Sequence, residues 1–335
     1  EVISEEKPGA KNKTFTVGFK ELSEGKEAKE TADLLGTDHT EIKIGKDEYF
    51  SILPKLIWHF DEPVADPSAI ALYFVAREAR KKVTVVLSGE GADELFGGYN
   101  IYLAPYAYRK VQWLPQSFLK WLAYCWPEMW GKSYLKRASS KLSNWYIGNA
   151  SIFSQEEVVK LWKESAKDCP WYAIKGSPWQ PWQQKNLSDS TKMQLVDINT
   201  WLVGDILAKA DKMTMANSLE LRVPFLDREV ANLVETLPDN LKWKDGQTKY
   251  ILRKAFEKII PETARNRRKL GFPTPIRAWL NKDATEVFKT IRNSSYIKSH
   301  LNISEVENLI SKQISGHDNS RKIYLLYILA LWYEV

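Results

Sequence analysis

Between Lys81 and Asn100 the chain reads KKVTVVLSGEGADELFGGYN. Val83, Thr84, Val85, Val86 and Leu87 form a strand-prone run. It gives way to Ser88-Gly89-Glu90-Gly91-Ala92-Asp93-Glu94, a glycine turn crowded with carboxylates. A glycine turn between a strand and a helix start cradles anions, because its backbone N–H groups converge on one point. Glu90, Asp93 and Glu94 would repel a bare phosphate. A divalent cation removes the conflict, since Mg²⁺ binds one or two carboxylates together with substrate phosphates. The alternative is that Asp93 and Glu94 are first-turn acids favoured by the helix dipole. The residues of the turn alone leave both readings open.

Working outward, TFTVGF (Thr14 to Phe19) predicts a buried strand, and Glu24 to Leu35 a helix stopped by Gly36. HTEIKI (His39 to Ile44) predicts a second strand and Lys46 to Phe60 a second helix. Pro67-Ser68 starts a third helix with Ala69, Leu72, Val75 and Ala76 on one face, leading to the Val83 strand. This alternation predicts an α/β half over residues 14–100, built on a parallel, doubly wound sheet. Its ligands should lie beyond the carboxyl ends of the strands, where Gly18 and Ser88 stand. Past Tyr99 the strand signals fade, and residues 101–335 read as a mainly helical half. The tryptophans there (Trp113, Trp121, Trp126, Trp130, Trp145, Trp162, Trp171, Trp179, Trp182) suggest core or interface packing. Pro170, Pro178 and Pro181 mark residues 164–186 as a surface connection.

The chain has 335 residues, 44% hydrophobic and 27% charged, a composition typical of a soluble globular protein. A net charge of +6 suits an anionic substrate or nucleic acid, but Lys and Arg are dispersed without a basic stripe, so no nucleic-acid partner is expected. Cys125, Cys169 and four separated histidines offer neither a disulfide framework nor zinc spacing. No apolar run approaches the roughly 18 residues of a membrane span, and no signal peptide opens the chain. The expectation is a cytoplasmic protein without a membrane partner.

A second constellation lies in WLVGDILAKADKMTMANSLELRVPFLD, Trp201 to Asp227. Asp205, Lys209 and Lys212 share one helical face, either as an exposed ion pair or as the charged edge of a cleft. Lys249 follows the turn Asp245-Gly246 at a helix start, where a cation opposes the dipole and invites an anionic partner, although a solvated lysine is the commoner outcome. RRKLGFPTPIRAWL, Arg267 to Leu280, reads as a structured loop beside a cleft.

Together, TFTVGF, DEPVADPSAIALYFVAR, VVLSGEGADELFGGY, DILAKADKMTMANSLELRVPFLD, TKYILRKAF and RRKLGFPTPIRAWL resemble, in order, the synthetase part of the asparagine synthetase B family. The resemblance covers nearly the whole chain as a single synthetase domain, 1–335. It implies a sheet of the ATP pyrophosphatase type, like that of the adenine nucleotide alpha hydrolases. It also implies a ligase that couples the aspartate side chain to AMP and then lets ammonia attack the acyl adenylate. ATP and Mg²⁺ would be required, with aspartate, ATP and ammonia drawn from glutamine as partners; a homodimer stays open. Carried over by residue, Ser88 and Gly89 would contact ATP, Val17 would line the adenine pocket and Asp93 would bind the Mg²⁺–pyrophosphate unit. Glu90 would act in forming and consuming the adenylate, as the base for the attacking ammonia, and Lys249 would hold the phosphates. Asp66, Ser68, Asp205 and Arg222 lie in matching blocks without individual roles.

Two family features have no counterpart here. The residues before Thr14 contain no Ser-Gly-Gly-x-Asp-Ser pyrophosphatase loop, and neither Cys125 nor Cys169 can serve as the terminal nucleophile of a glutaminase domain. The pattern favours a truncated or incompletely represented synthetase. The alternatives are a related enzyme that activates another carboxylate, as in β-lactam closure, and a non-catalytic chain of the same fold that binds a partner through its helical half. Between the first two, the acid pocket near Asp66 to Ala69 and the Asp205 helix would discriminate.

Overall fold

The computed structural model describes residues 11–20, 23, 25–127, 129, 131–164, 186–265 and 274–335. Strand β1 (Lys13–Phe19) lies parallel to β2 (Asp38–Ile44), with Lys13 opposite Asp38 and Phe19 opposite Ile44. Helix α1 (Gly25–Leu34) crosses between them, as a parallel pair requires. Helix α2 (Lys46–Phe60) keeps the predicted bounds and buries Tyr49, Leu53, Leu56, Ile57 and Phe60, an apolar stripe at helical spacing. Burying each of these side chains contributes about 1.5 to 3 kcal/mol. Helix α3 (Ser68–Arg80) starts where the Asp66 carboxylate accepts the Ser68 N–H at 2.8 Å, and it delivers the chain to β3 (Val85–Leu87).

The sheet departs from the sequence expectation. β3 is shorter than the Val83–Leu87 run, and it pairs in parallel with β4 (Glu220–Arg222), a strand from the half read as mainly helical. The described strands thus form two separate parallel pairs, β1–β2 and β3–β4. Ala76, Ala79 and Leu219 pack with Phe15, Val83 and Val86 and join the two pairs through side chains. The Glu-Leu-Arg of β4 is too short and too charged to carry a strand signal.

Beyond β3 come the short helix α4 (Ala92–Phe96), then α5 (Asp189–Asn199), α6 (Ala208–Met215), α7 (Tyr250–Ala255) and the C-terminal α8 (Ser320–Glu334), among other helices. Tyr49 of α2 and Tyr324 of α8 share a buried hydroxyl contact of 2.9 Å, so the first and last parts of the chain close one core. The tryptophans divide. Trp145 packs on Tyr108 and Trp162 against the core, whereas Trp113 and Trp121 are 79% and 58% exposed. Core packing therefore accounts for only some of them. Trp130, Trp171, Trp179, Trp182, Cys169, most of the 164–186 connection and the Arg267–Pro273 part of the basic loop lie outside the described residues. Among the described residues no helix is long and apolar enough to cross a membrane.

Candidate active site

The turn after β3 is fixed by its backbone. Ser88 N–H donates to the Arg222 carbonyl at 2.9 Å, extending the β3–β4 ladder into the first residue of the turn. Gly91 has φ +85°, and a Cβ there would sit 2.2 Å from Leu226 Cδ2, so both conformation and space demand glycine. At Gly98 a Cβ would come within 1.7 Å of Asp93 Oδ1 and 2.3 Å of Lys249 Cε. That close approach lets Lys249 Nζ reach Asp93 at 3.0 Å from a distant helix start. Lys249 precedes α7 at φ +52°, a left-handed conformation that costs a non-glycine residue about 1 to 3 kcal/mol and that clusters at functional sites.

Glu90 accepts a short hydrogen bond from Ser88 Oγ. Burial raises its pKa, the charge of Glu94 adds to the rise, and the Lys209 ammonium opposes it. A carboxyl whose proton affinity is raised in a strand-end turn is suited to proton transfer. Glu94 itself does not face an anion, contrary to the reading of the turn as three repelling carboxylates. It is 1% exposed and accepts a hydrogen bond from Tyr99 at 2.6 Å. Tyr99 in turn accepts from Trp201 Nε1 at 3.2 Å.

Lys209 decides between the two readings of its helix in favour of the cleft edge. It is 7% exposed, donates to Asp66 by a short hydrogen bond and to Ser68 Oγ at 3.0 Å, and lies 3.9 Å from Asp205 Oδ2. Lys212 also turns inward, donating to the Phe60 carbonyl. Asp205 sits in a π-helical segment, Leu202–Leu207, that runs directly into α6. Burial raises the Asp66 pKa, but the Lys209 charge and the hydrogen bonds from Lys209 and Ser68 outweigh it and hold Asp66 below the ordinary value. Asp205 goes the other way and is pushed up to about 7: burial raises it, the Asp66 charge and a side-chain hydrogen bond to Asp66 add to the rise, and Lys209 offsets only part. Asp66 and Asp205 both line a cavity of about 690 Å³ that also meets Trp201, Gly204, Arg277 and Arg321.

Ser88, Glu90, Asp93 and Lys249 thus converge on one turn. Gly89 has open space around it, with nothing within 4 Å of an added Cβ. Val17 stands apart: it is buried in the main core, and the cleft that reaches Ser88 is walled by residues 11–15 of β1 and its approach instead. Tyr99 was not foreseen as part of the site; Lys209 was offered as one edge of a cleft, on the helical spacing of Asp205 and Lys209. Asp93 offers carboxylate oxygens of the kind a hard cation takes, beside Glu90 as a proton acceptor. Among the described residues no group of three or more acidic, histidine or cysteine side chains could cage a metal by itself. A Mg²⁺ held at Asp93 would take its remaining oxygens from a polyphosphate.

An asparagine synthase family model matches residues 3–334, and the chain belongs to that family. It is 48% identical over 330 residues to asparagine synthetase [glutamine-hydrolyzing] 1 of Bacillus subtilis, covering 96% of this chain and 52% of that protein. A putative asparagine synthetase [glutamine-hydrolyzing] of Mycobacterium tuberculosis is 42% identical, covering 96% of this chain and 50% of its own length. The amidase chyE of Penicillium rubens is 24% identical over 80% of this chain and 44% of its own length. The chain spans about half the length of the first two of these relatives.

Proposed function

We propose that this chain is the synthetase portion of a longer protein that makes asparagine from aspartate, ATP and ammonia, the ammonia being released from glutamine by a second domain. One observation carries the reading: the Ser88–Asp93 turn, the raised Glu90 and the Lys249 ammonium meet at the carboxyl end of β3. In this reading the side-chain carboxylate of aspartate attacks the α-phosphorus of Mg-ATP and pyrophosphate leaves. Lys249 and the backbone of Ser88 and Gly89 hold the phosphates while charge develops on them. Ammonia then attacks the acyl carbon, AMP leaves, and ionised Glu90 takes the proton of the incoming nitrogen. A cytoplasmic setting belongs to this reading.

The finer fold assignment is also part of the proposal. β1 and β3 border a cleft of about 780 Å³ lined by Phe15, Leu72, Val75, Val86 and Leu219. The family resemblance implies a further strand, carrying the pyrophosphatase loop, ahead of β1. A strand seated in that cleft would join the two parallel pairs into one doubly wound sheet.

The test uses the protein expressed from its natural start codon, with Mg-ATP, ammonium and a panel of amino acids, and follows AMP and amide by mass spectrometry. The expected result is AMP and asparagine together, with aspartate alone. Glu90→Gln should lower amide formation by about a hundredfold or more, with the melting temperature little changed. The wild-type rate should rise with pH through the raised pKa of Glu90, as the base becomes ionised. AMP formed with a different acid would transfer the assignment to a related carboxylate-activating enzyme. No AMP with any acid, or an undiminished rate in Glu90→Gln, would end it.

A further inference from the structure

Taken by count rather than by spacing, the basic residues are unevenly placed. Residues 109–141 hold seven of the 48 Lys and Arg and one of the 42 acids, Glu128, so the rest of the chain is neutral and this stretch carries the whole net charge of +6. Elsewhere on the surface lysines pair with acids, as Lys13 does with Asp38, Lys81 with Glu78 and Lys289 with Glu286. Lys110, Lys120, Lys136 and Lys141 are exposed and have no carboxylate partner among the described residues. An excess of unpaired cations on one element makes a local positive field that draws an anionic partner.

The same stretch exposes aromatic rings. Its helix Gln116–Cys125 buries Leu119 and Ala123 against Leu135 of the next helix, Lys132–Ala138. At about 100° per residue, Trp121 points directly away from that buried stripe, with Phe118 and Tyr124 about 60° to either side and Lys120 toward the edge. The helix is apolar on both faces, the pattern of one covered on both, yet its outer face is open. Tyr124 is 86% exposed and Phe118 44%, and the Phe118 and Trp121 rings stack with centroids 5.8 Å apart. Trp113, in the turn before the helix, donates its ring N–H to the Lys110 carbonyl at 3.0 Å, so the ring it leaves in solvent presents apolar surface.

The composition of this face selects its occupant. Protein–protein interfaces are enriched in aromatics and Arg but depleted in Lys, whereas five of the seven cations here are lysines. A single-stranded nucleic acid takes cations and rings together but stacks its bases on free ring faces, and Phe118 and Trp121 already stack on each other. Trp, Tyr and Phe bordered by Lys and Arg are the pattern of an element that lies in the boundary of a lipid bilayer. Among the described residues no helix can cross a membrane, and an element of this kind lies in the interface without crossing it.

We propose that residues 109–141 form a docking surface for an anionic lipid bilayer, with Trp113, Phe118, Trp121 and Tyr124 entering the headgroup boundary and Lys110 and Lys120 meeting lipid phosphates. The protein is held at the surface without spanning it. The sequence expectation of no membrane partner was drawn from the lack of a spanning run, which a surface-lying element does not need. The cytoplasmic leaflet is the negative one, so the surface agrees with a cytoplasmic setting. It does not depend on the amide-forming reading.

The test is vesicle flotation of the protein expressed from its natural start codon, on vesicles of equimolar phosphatidylglycerol and phosphatidylcholine and on vesicles of phosphatidylcholine alone. The protein should float with the anionic vesicles, bind the neutral ones far more weakly, and be released from the anionic ones by salt. Lys120→Gln should weaken binding about fivefold. Trp121→Ser combined with Tyr124→Ser should weaken it about tenfold or more with an unchanged melting temperature, since both side chains are exposed in the folded protein. No flotation, equal flotation on the two vesicle types, or an undiminished double variant would overturn the proposal. So would binding to a single-stranded oligonucleotide that anionic vesicles do not displace, which assigns the face to nucleic acid. A dimer by light scattering that the double variant converts to monomer would also overturn it, by assigning the face to a second copy. AMP formation is read separately, so a failed synthetase assay leaves the docking surface standing, and the reverse.

Discussion

Asp197 and Asp205 follow closely in the chain, both are withdrawn from water, and burial raises the pKa of both, yet their surroundings differ in kind. Asp197, at 0% exposure, accepts hydrogen bonds from Tyr102 at 2.6 Å, from Tyr146, and from Asn149 N–H at 2.9 Å. Those donors tie α5 to the chain segments before it. Asp205 lines a cavity, its Oδ2 accepts no hydrogen bond, and a hydrogen bond to the Asp66 carboxyl favours its protonated form. A buried acid supplied with hydrogen bonds holds helices together, whereas one left short beside open space can receive a ligand. The same burial thus accompanies helix packing at Asp197 and a coupled carboxyl pair at a cavity wall at Asp205.

That contrast breaks most visibly at Lys209. Lys209→Met leaves Asp66 and Asp205 without their shared cation, and the expected loss is about 3 to 5 kcal/mol in the denaturant midpoint analysis. A loss below about 1 kcal/mol would mean that the cluster is solvated as an ordinary surface ion pair.

Asp197 sharpens the comparison through pH. Its pKa is pushed up to about 6 from the ordinary 3.8, because burial outweighs the three hydrogen bonds that favour its charged form. The folded state then holds this proton more tightly than the unfolded chain. Its contribution to stability is complete below about pH 4 and is lost as pH rises through about 6, amounting to about 3 kcal/mol across that window. The stability difference between wild type and Asp197→Asn, measured by urea unfolding from pH 4 to pH 6.5, should shift by about that amount against the wild type. A flat difference would show that Asp197 is already ionised at the acid end.

The smallest effect belongs to Asp205→Asn. Removing its charge gives up the 3.9 Å approach to Lys209 but also the repulsion from Asp66, so stability should change by no more than about 0.5 kcal/mol. A large loss would move Asp205 into the same structural class as Asp197.

Much of the first half of the chain was legible locally. The β1, α1, β2, α2 and α3 segments matched their predicted spans within a residue or two because each has a clean period and a clear stop. Family membership followed from six ordered blocks, no one of which would have sufficed. β4 was not legible, because three residues hold no period and its partner β3 lies far back in the sequence. The burial of Glu94 was not foreseen and that of Lys209 was left open for one reason. A charged side chain's burial depends on what packs over it, and Tyr99 and Asp66 were not visible as neighbours.

The residues by themselves determined the strand–turn–helix around Ser88, the glycine at Gly91 and the chemistry available to Glu90, Asp93 and Lys249, since these follow from backbone sterics and functional groups. Only the tertiary structure decided that Lys209 meets Asp66 across 143 residues, that Glu94 turns away, and that Asp205 pairs with Asp66 at a cavity wall. Proton affinity and recognition are set by distance and by exclusion of water, and both are properties of the packed chain.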